Sequence, residues 1–166
     1  DVAAYAIARP SLHPPGAYWS YASGTSNIVA RIACDAVGGG AEGMADFLRA
    51  RLFAPLGMTS ARPRFDAAGT FIGSSYVFCT ARDFARFGLL YLHDGIWDGA
   101  RLLPAGWVDH ARTPTPASIG RYGAHWWLAL DGSGIFTANG FQGQHIVVDP
   151  RRDLVVVRLG VSTPAQ

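Results

Sequence analysis

The sequence predicts an α+β fold, with helices packed against one face of an antiparallel sheet, and three observations carry that prediction. Apolar residues recur at helical spacing through the first two-thirds of the chain. Short aromatic and β-branched runs separated by turn residues fill the last third. The composition, 166 residues that are 49% hydrophobic and 16% charged, is that of a chain able to bury a core. Helices that precede the strands, rather than alternating with them, argue against a parallel doubly wound sheet.

Residues 1 to 20 hold Pro10, Pro14, Pro15 and Gly16, which interrupt regular structure, so the segment reads as an ordered approach loop. Thr25 to Val37 carries Ile28, Val29, Ile32 and Val37 on neighbouring helical faces and stops at Gly38-Gly39-Gly40, predicting a first helix. Met44, Phe47, Leu48 and Leu52 predict a second over Ala41 to Phe53, closed by Pro55 and Gly57. Thr80-Ala81-Arg82-Asp83 has the Ser/Thr-x-x-acid form of a helix start, followed by Phe84, Phe87, Leu90 and Tyr91, so a third helix spans 80 to 93. Pro104 opens a short fourth helix through about Arg112. His125 to Leu130, Ile135 to Asn139, Gln144 to Val148 and Leu154 to Leu159 then read as an antiparallel meander. The expected organisation is a single partial domain over 1–166, helical over about 24–112 and stranded over about 125–160.

Several function classes are disfavoured. Fourteen Arg, no Lys, eleven Asp and one Glu leave a net charge of +2, and the Arg residues are scattered, so no nucleic-acid surface is expected. No apolar run approaches the ~18 to 20 residues of a membrane span, and no signal peptide is visible. Periplasmic or secreted and cytoplasmic locations are both left open. Cys34 and Cys79 could make at most one bridge and have no metal-type spacing. The five histidines show no i, i+4 pair, so no metal is expected, nor any other cofactor. The Gly38 to Gly43 stretch follows a helix and lacks a Lys-Ser/Thr ending, against a phosphate cradle, and no Gly-x-Ser-x-Gly elbow is present.

Two segments stand out. Pro15-Gly16 is followed by Tyr21-Ala22-Ser23 at the mouth of the first predicted helix, where a phenol would be presented from a proline-fixed loop; a capping serine beside a core tyrosine would look the same. Asn139-Gly140-Phe141-Gln142-Gly143-Gln144 places two glycines ahead of a strand. Such glycines permit close approach of a ligand and leave an N–H to donate to an oxyanion, though a bulge or tight hairpin would use them equally.

Taken in order, these segments resemble the serine β-lactamase and penicillin-binding-protein superfamily, in its class C-like esterase and amidase branch. Pro15-Gly16-x-x-x-x-Tyr21-x-Ser23 is similar to the family's Tyr-x-Asn/Ser box, and Phe53-Ala54-Pro55-Leu56-Gly57-Met58 to its Pro-Leu-Gly-Met turn. Ser75 through Gly88 is similar to its Thr-Ala-x-Asp-Leu-Ala-Arg-Phe-Gly helix, Leu102-Leu103-Pro104 with Trp107-Val108 also fits, and Phe141-Gln142-Gly143 stands in the place of its Lys-Thr-Gly box. The resemblance implies a β-lactamase/transpeptidase-like fold and an acyl-enzyme mechanism, in which the serine of Ser-x-x-Lys attacks a carbonyl while Lys and Tyr move its proton. Tyr21 would be that tyrosine, and Ser23 would contact the substrate amide or steady the Lys. The N–H of Gln144, after Gly143, would be one oxyanion donor. Phe141 replaces a lysine that anchors a β-lactam carboxylate, so uncharged esters or amides are the expected small-molecule substrates.

With no Lys in the chain, Ser-x-x-Lys is absent, and the expectation is an internal portion of a serine hydrolase lacking its N-terminal nucleophile and its closing helix. Alone it would be inactive, with the Leu154–Leu159 strand left as an open edge that pairs with the N-terminal part of the same protein or with another copy. The alternative is a non-catalytic binding or structural module on the same scaffold.

Overall fold

A computed structural model describes residues 1–162, as two compact units. The first comprises residues 1–15 and 20–79 and is built on three helices, α1 (Val2–Ile7), α2 (Ser23–Val37) and α3 (Gly40–Leu48). α1 lies inside the segment expected to be a loop. Its start is held by the Asp1 carboxylate, which accepts from the N–H groups of Ala3 and Ala4 and so fills two of the donors a helix leaves open. The prolines that suggested a loop all fall after this helix ends.

α2 begins two residues earlier than its periodicity suggests and stops at Gly38. The run of glycines that follows is a packing device. A Cβ on Gly43 would stand 2.1 Å from the Gly38 carbonyl oxygen, so only glycine lets the start of α3 approach the end of α2 this closely. The second predicted helix exists, but its last part, Arg49–Phe53, is a π-helical turn. Ala54 N–H donates to Arg49 O and Met58 N–H to Phe53 O, the wide ladder arising around Pro55, which has no N–H to continue a regular one. Ala30, Cys34, Met44, Phe53, Leu56, Met58 and Ala61 are buried in this unit. Asp66 ties its loop together by accepting from Val2, Ala68 and Thr70. Burial acts to raise its pKa, but these bonds outweigh that and hold it below the usual carboxylate range.

The second unit comprises residues 16–19 and the chain from Thr80 onward. α4 (Ala81–Leu92) starts as expected, with the Thr80 hydroxyl accepting from Asp83 N–H. A hairpin the periodicity did not reveal follows, β1 (Ile96–Trp97) with β2 (Ala100–Arg101). Its two-residue turn puts Asp98 at φ 47° and Gly99 at φ 76°, the pair of left-handed residues that matches strand twist. α5 is Trp107–Arg112 rather than starting at Pro104, because Gly106 at φ 78° breaks the helical path between them.

The main sheet is antiparallel in the order β3 (Trp127–Leu128), β4 (Phe136–Gly140), β5 (Gln144–Asp149), β6 (Leu154–Arg158), which is the predicted meander with β3 shortened. Register pairs Ala138 with Ile146 and Ile146 with Val157, so one face carries Phe136, Ala138, Ile146, Val148, Val155 and Val157. α4 lies on that face, as the α+β prediction requires. Trp126 joins helix to sheet: its ring lies 4.7 Å from Tyr91 and 4.9 Å, edge-on, from Phe136. Cys34 and Cys79 form no disulfide. No helix among the described residues is long and apolar enough to cross a membrane.

Candidate active site

The proline-rich approach delivers the chain through Gly16 at φ 77° to Trp19. The Trp19 ring packs against Tyr122 at 5.3 Å and against Trp127 at 5.8 Å, and these two rings lie 5.2 Å from each other. Tyr21 follows, 59% exposed. Ala22, in extended conformation, is the residue that caps α2, and no side chain completes that cap. Ser23 is the first residue of the helix. Ser23 is therefore not the cap of α2, and Tyr21 is not among the buried residues.

The second set of candidate residues is the hairpin joining β4 to β5. Gly140 pairs with Gln144, and the three residues between them form the turn, with Gln142 at φ 59° and Gly143 at φ 83°. Of the readings open for the two glycines, a tight hairpin is what the chain adopts. It is also a close approach, since a Cβ on Gly143 would meet Arg158 Nη1 and Ser162 Oγ, each at 2.7 Å. Phe141 is 86% exposed at the tip. The turn is fastened to the end of β6: Ser162 N–H donates to Gln142 O at 2.9 Å, Arg158 Nη1 donates to Gly143 O, and Gly160 N–H donates to Gln144 Oε1 at 2.9 Å.

Phe141, Gly143 and Gln144 thus form one structural feature of the sheet-bearing unit, whereas Tyr21 and Ser23 belong to the helical unit. Sequence reasoning did not identify the partners of the turn. Arg158 and Gly160 sit 15 and 16 residues away from it, and only the β5–β6 register brings them alongside. It also missed the cavity of about 190 Å³ beside Gln144, lined by Phe84, Ala138, Gly140, Ile146 and Leu159. The alternation of the strands could have signalled this, since Ala138 and Ile146 pair directly and face α4. No metal-binding cluster of His, Cys, Asp or Glu exists among the described residues.

Comparison with known proteins places these features in context. A family model described as Beta-lactamase matches residues 1–164. The 6-aminohexanoate-dimer hydrolase of Paenarthrobacter ureafaciens is 33% identical over an alignment of 106 positions that covers 57% of this chain and 27% of that protein. Among solved structures, a Bacillus anthracis protein assigned by name to the 6-aminohexanoate-dimer hydrolases superposes with a TM-score of 0.83 at 26% identity, over 94% of this chain and 42% of its own. A β-lactamase-like protein from Bacteroides dorei superposes with a TM-score of 0.70 at 16% identity, over 93% of this chain and 56% of its own, and that likeness concerns the fold alone. The matched region is thus a quarter to rather more than half of these relatives' length.

Proposed function

Because this chain belongs to the β-lactamase family, we propose that it contributes the tyrosine and the oxyanion-turn parts of a serine hydrolase site that cleaves uncharged esters or amides through an acyl-enzyme. In this reading the serine Oγ bonds to the substrate carbonyl carbon as the bond to the leaving oxygen or nitrogen breaks. The serine proton passes through the lysine and Tyr21 to the leaving group, and a water then releases the acid and restores the serine. Ser23 contacts the substrate amide or steadies the lysine, and the Gln144 N–H donates to the oxygen as charge develops on it. Since the 166 residues contain no Lys, the Ser-x-x-Lys nucleophile and base come from residues outside them.

The exposure of Tyr21 at the mouth of α2 carries this reading, because a proton-transfer group has to be reachable by the substrate. Phe141, apolar and at the tip of the turn, offers no charge to pair with a carboxylate, which favours uncharged substrates. The name of the Paenarthrobacter relative, a hydrolase of a 6-aminohexanoate dimer, supports an amide as the bond cleaved, while the ammonium and carboxylate ends of such a dimer lie outside the uncharged class that Phe141 favours. The test is Tyr21→Phe in the full-length gene product, assayed on 4-nitrophenyl acetate. Turnover falls by ~10² to 10⁴-fold, the contribution of a proton-transfer group, with the thermal transition unmoved. A wild-type rate would leave the non-catalytic module as the better reading.

A further inference from the structure

We propose that Tyr76 and Phe78 form an aromatic wall toward the mouth of α2 that receives the acyl group of the substrate, making both specificity-determining residues for an aromatic acyl group. The inference rests on the reading above, in which Tyr21 and Ser23 act on that substrate.

After Gly69 the chain runs back along α2. A Cβ on Gly69 would lie 3.6 Å from Ala41 Cβ, and Ala41 is just beyond the end of α2. Gly73 then packs on the helix itself: its Cβ would stand 2.7 Å from Ala30 Cβ and 3.4 Å from Ser26 O, so a glycine is needed for the approach. Next, Ser74 N–H donates to the side-chain oxygen of the buried Asn27 at 3.3 Å. Taken in chain order, these contacts pass from the end of α2 toward its start. Asn27 comes four residues after Ser23, about one turn away on the same face of the helix. Tyr76 follows directly, in the same compact unit as Tyr21 and Ser23.

Tyr76 stands at φ 64°, a left-handed conformation that bulky side chains disfavour. The chain has to bend here, between the turn closed by the Ser75 N–H to Ile72 O bond of 3.3 Å and Phe78, whose N–H donates to Arg62 O at 3.1 Å. Glycine would make that bend without strain. Burial does not account for the tyrosine either, since it is 57% exposed. A strained aromatic residue that the fold itself leaves uncovered points to a use beyond folding. The Phe78 ring, 54% exposed, lies 6.2 Å from that of Tyr76 at an angle of 36°. Arg64 Cζ sits 5.8 Å over the Phe78 ring, a cation–π contact that steadies it. Two neighbouring tilted rings open to solvent suit a third aromatic ring, which packs edge-on or offset against them.

The experiment uses the full-length gene product and two esters that share a leaving group, 4-nitrophenyl phenylacetate and 4-nitrophenyl acetate, compared in wild type, Tyr21→Phe, Tyr76→Gly and Phe78→Ala. The ratio of kcat/KM for the phenylacetate to that for the acetate is expected to fall about tenfold in Tyr76→Gly and in Phe78→Ala, as for the loss of one aromatic contact. Because glycine relieves the strain, Tyr76→Gly also unfolds at a temperature no lower than wild type, which the loss of a packing tyrosine would not allow. An unchanged ratio in both variants, alongside an inactive Tyr21→Phe, would refute the wall and leave the site reading standing. A Tyr21→Phe enzyme as fast as wild type would remove the reading and the wall together. Equal losses on both esters with a lowered unfolding temperature would make the two rings structural and overturn the proposal.

Discussion

Gly88, in the middle of α4, is where helix meets sheet most closely, and Gly88→Ala sets two effects of opposite sign against each other. Replacing an interior helical glycine by alanine is worth about 1 kcal/mol in backbone entropy. The added Cβ, however, would stand 2.6 Å from Val155 Cγ1 and 3.0 Å from Ile146 Cγ2. Ordinary carbon contacts lie at about 3.5–4.0 Å, so α4 has to retreat by roughly 1 Å. The obstructing groups are methyls of β-branched residues in strands, whose χ1 angles have little freedom to yield. Overpacking of this kind costs about 1–3 kcal/mol, which exceeds the propensity gain. The net expectation is a loss of about 1 kcal/mol for Gly88→Ala and a larger loss for Gly88→Val. Urea unfolding of the full-length protein followed by tryptophan fluorescence measures it, as a lower midpoint at unchanged slope. Because Phe84 lies one turn earlier on α4 and lines the cavity beside Gln144, the retreat should also weaken turnover. A midpoint raised by the alanine would refute the close-packing argument.

Asp149 is held below the usual carboxylate range, first by the Arg152 side chain, whose Nη1 donates at 2.7 Å, and then by the N–H groups of Arg152 and Arg151. A depressed folded pKa stabilises above the unfolded value of about 3.9 and is lost as pH falls through the folded value. Urea midpoints between pH 6 and 3 should therefore fall less steeply for Asp149→Asn than for wild type, and parallel curves would show that Asp149 contributes nothing to acid lability. Phe141, having no charge, leaves a β-lactam carboxylate without an ion pair, so the full-length protein should turn over acetyl esters far faster than a chromogenic cephalosporin; the reverse preference would sink the substrate assignment. The 166-residue chain alone should neither hydrolyse 4-nitrophenyl acetate nor react stoichiometrically with a serine-directed phosphonate, and labelling of a serine within it would overturn the missing-nucleophile argument. Its β6 edge, with Leu154 and Val156 exposed, should drive self-association visible by sedimentation velocity; a monodisperse monomer would show that the edge is already protected.

The parts of the fold that were legible in the sequence are those whose cause is local. Thr80 with Asp83, the Phe84-Phe87-Leu90-Tyr91 spacing, and the turn residues between Val148 and Leu154 each act within a few positions, and α4 and the β5–β6 pair formed where they were expected. α1 was missed because it is only six residues long and is maintained by Asp1, Asp66 and contact with α2, not by a long apolar stripe. The close pack of Ala6 against Gly24, whose Cβ would lie 3.3 Å away, has no sequence signature. The β1–β2 hairpin did have one, Asp98-Gly99, but its flanking strands are two residues each and show no alternation. Pro104 misled because proline suits a helix start only if the following residues can stay right-handed, and Gly106 does not.

The same distinction separates the two halves of the candidate site. Tyr21 could be singled out because its surroundings are written beside it: two prolines and a glycine before it, a helix directly after. The turn could be found from Gly140 and Gly143, but not what holds it, because Arg158, Gly160 and Ser162 reach it only through the β5–β6 register. Register depends on which face must be buried against α4, and that is decided by Gly88, Ile146 and Val155 together. If a one-residue slip moved Val155 and Val157 off the α4 face, it would also carry Arg158 away from the Gly143 carbonyl. The packing that closes the core of this unit is therefore the packing that aligns the turn, which is why a substitution at Gly88, on the helix and away from the turn, is expected to be felt in turnover as well as in stability.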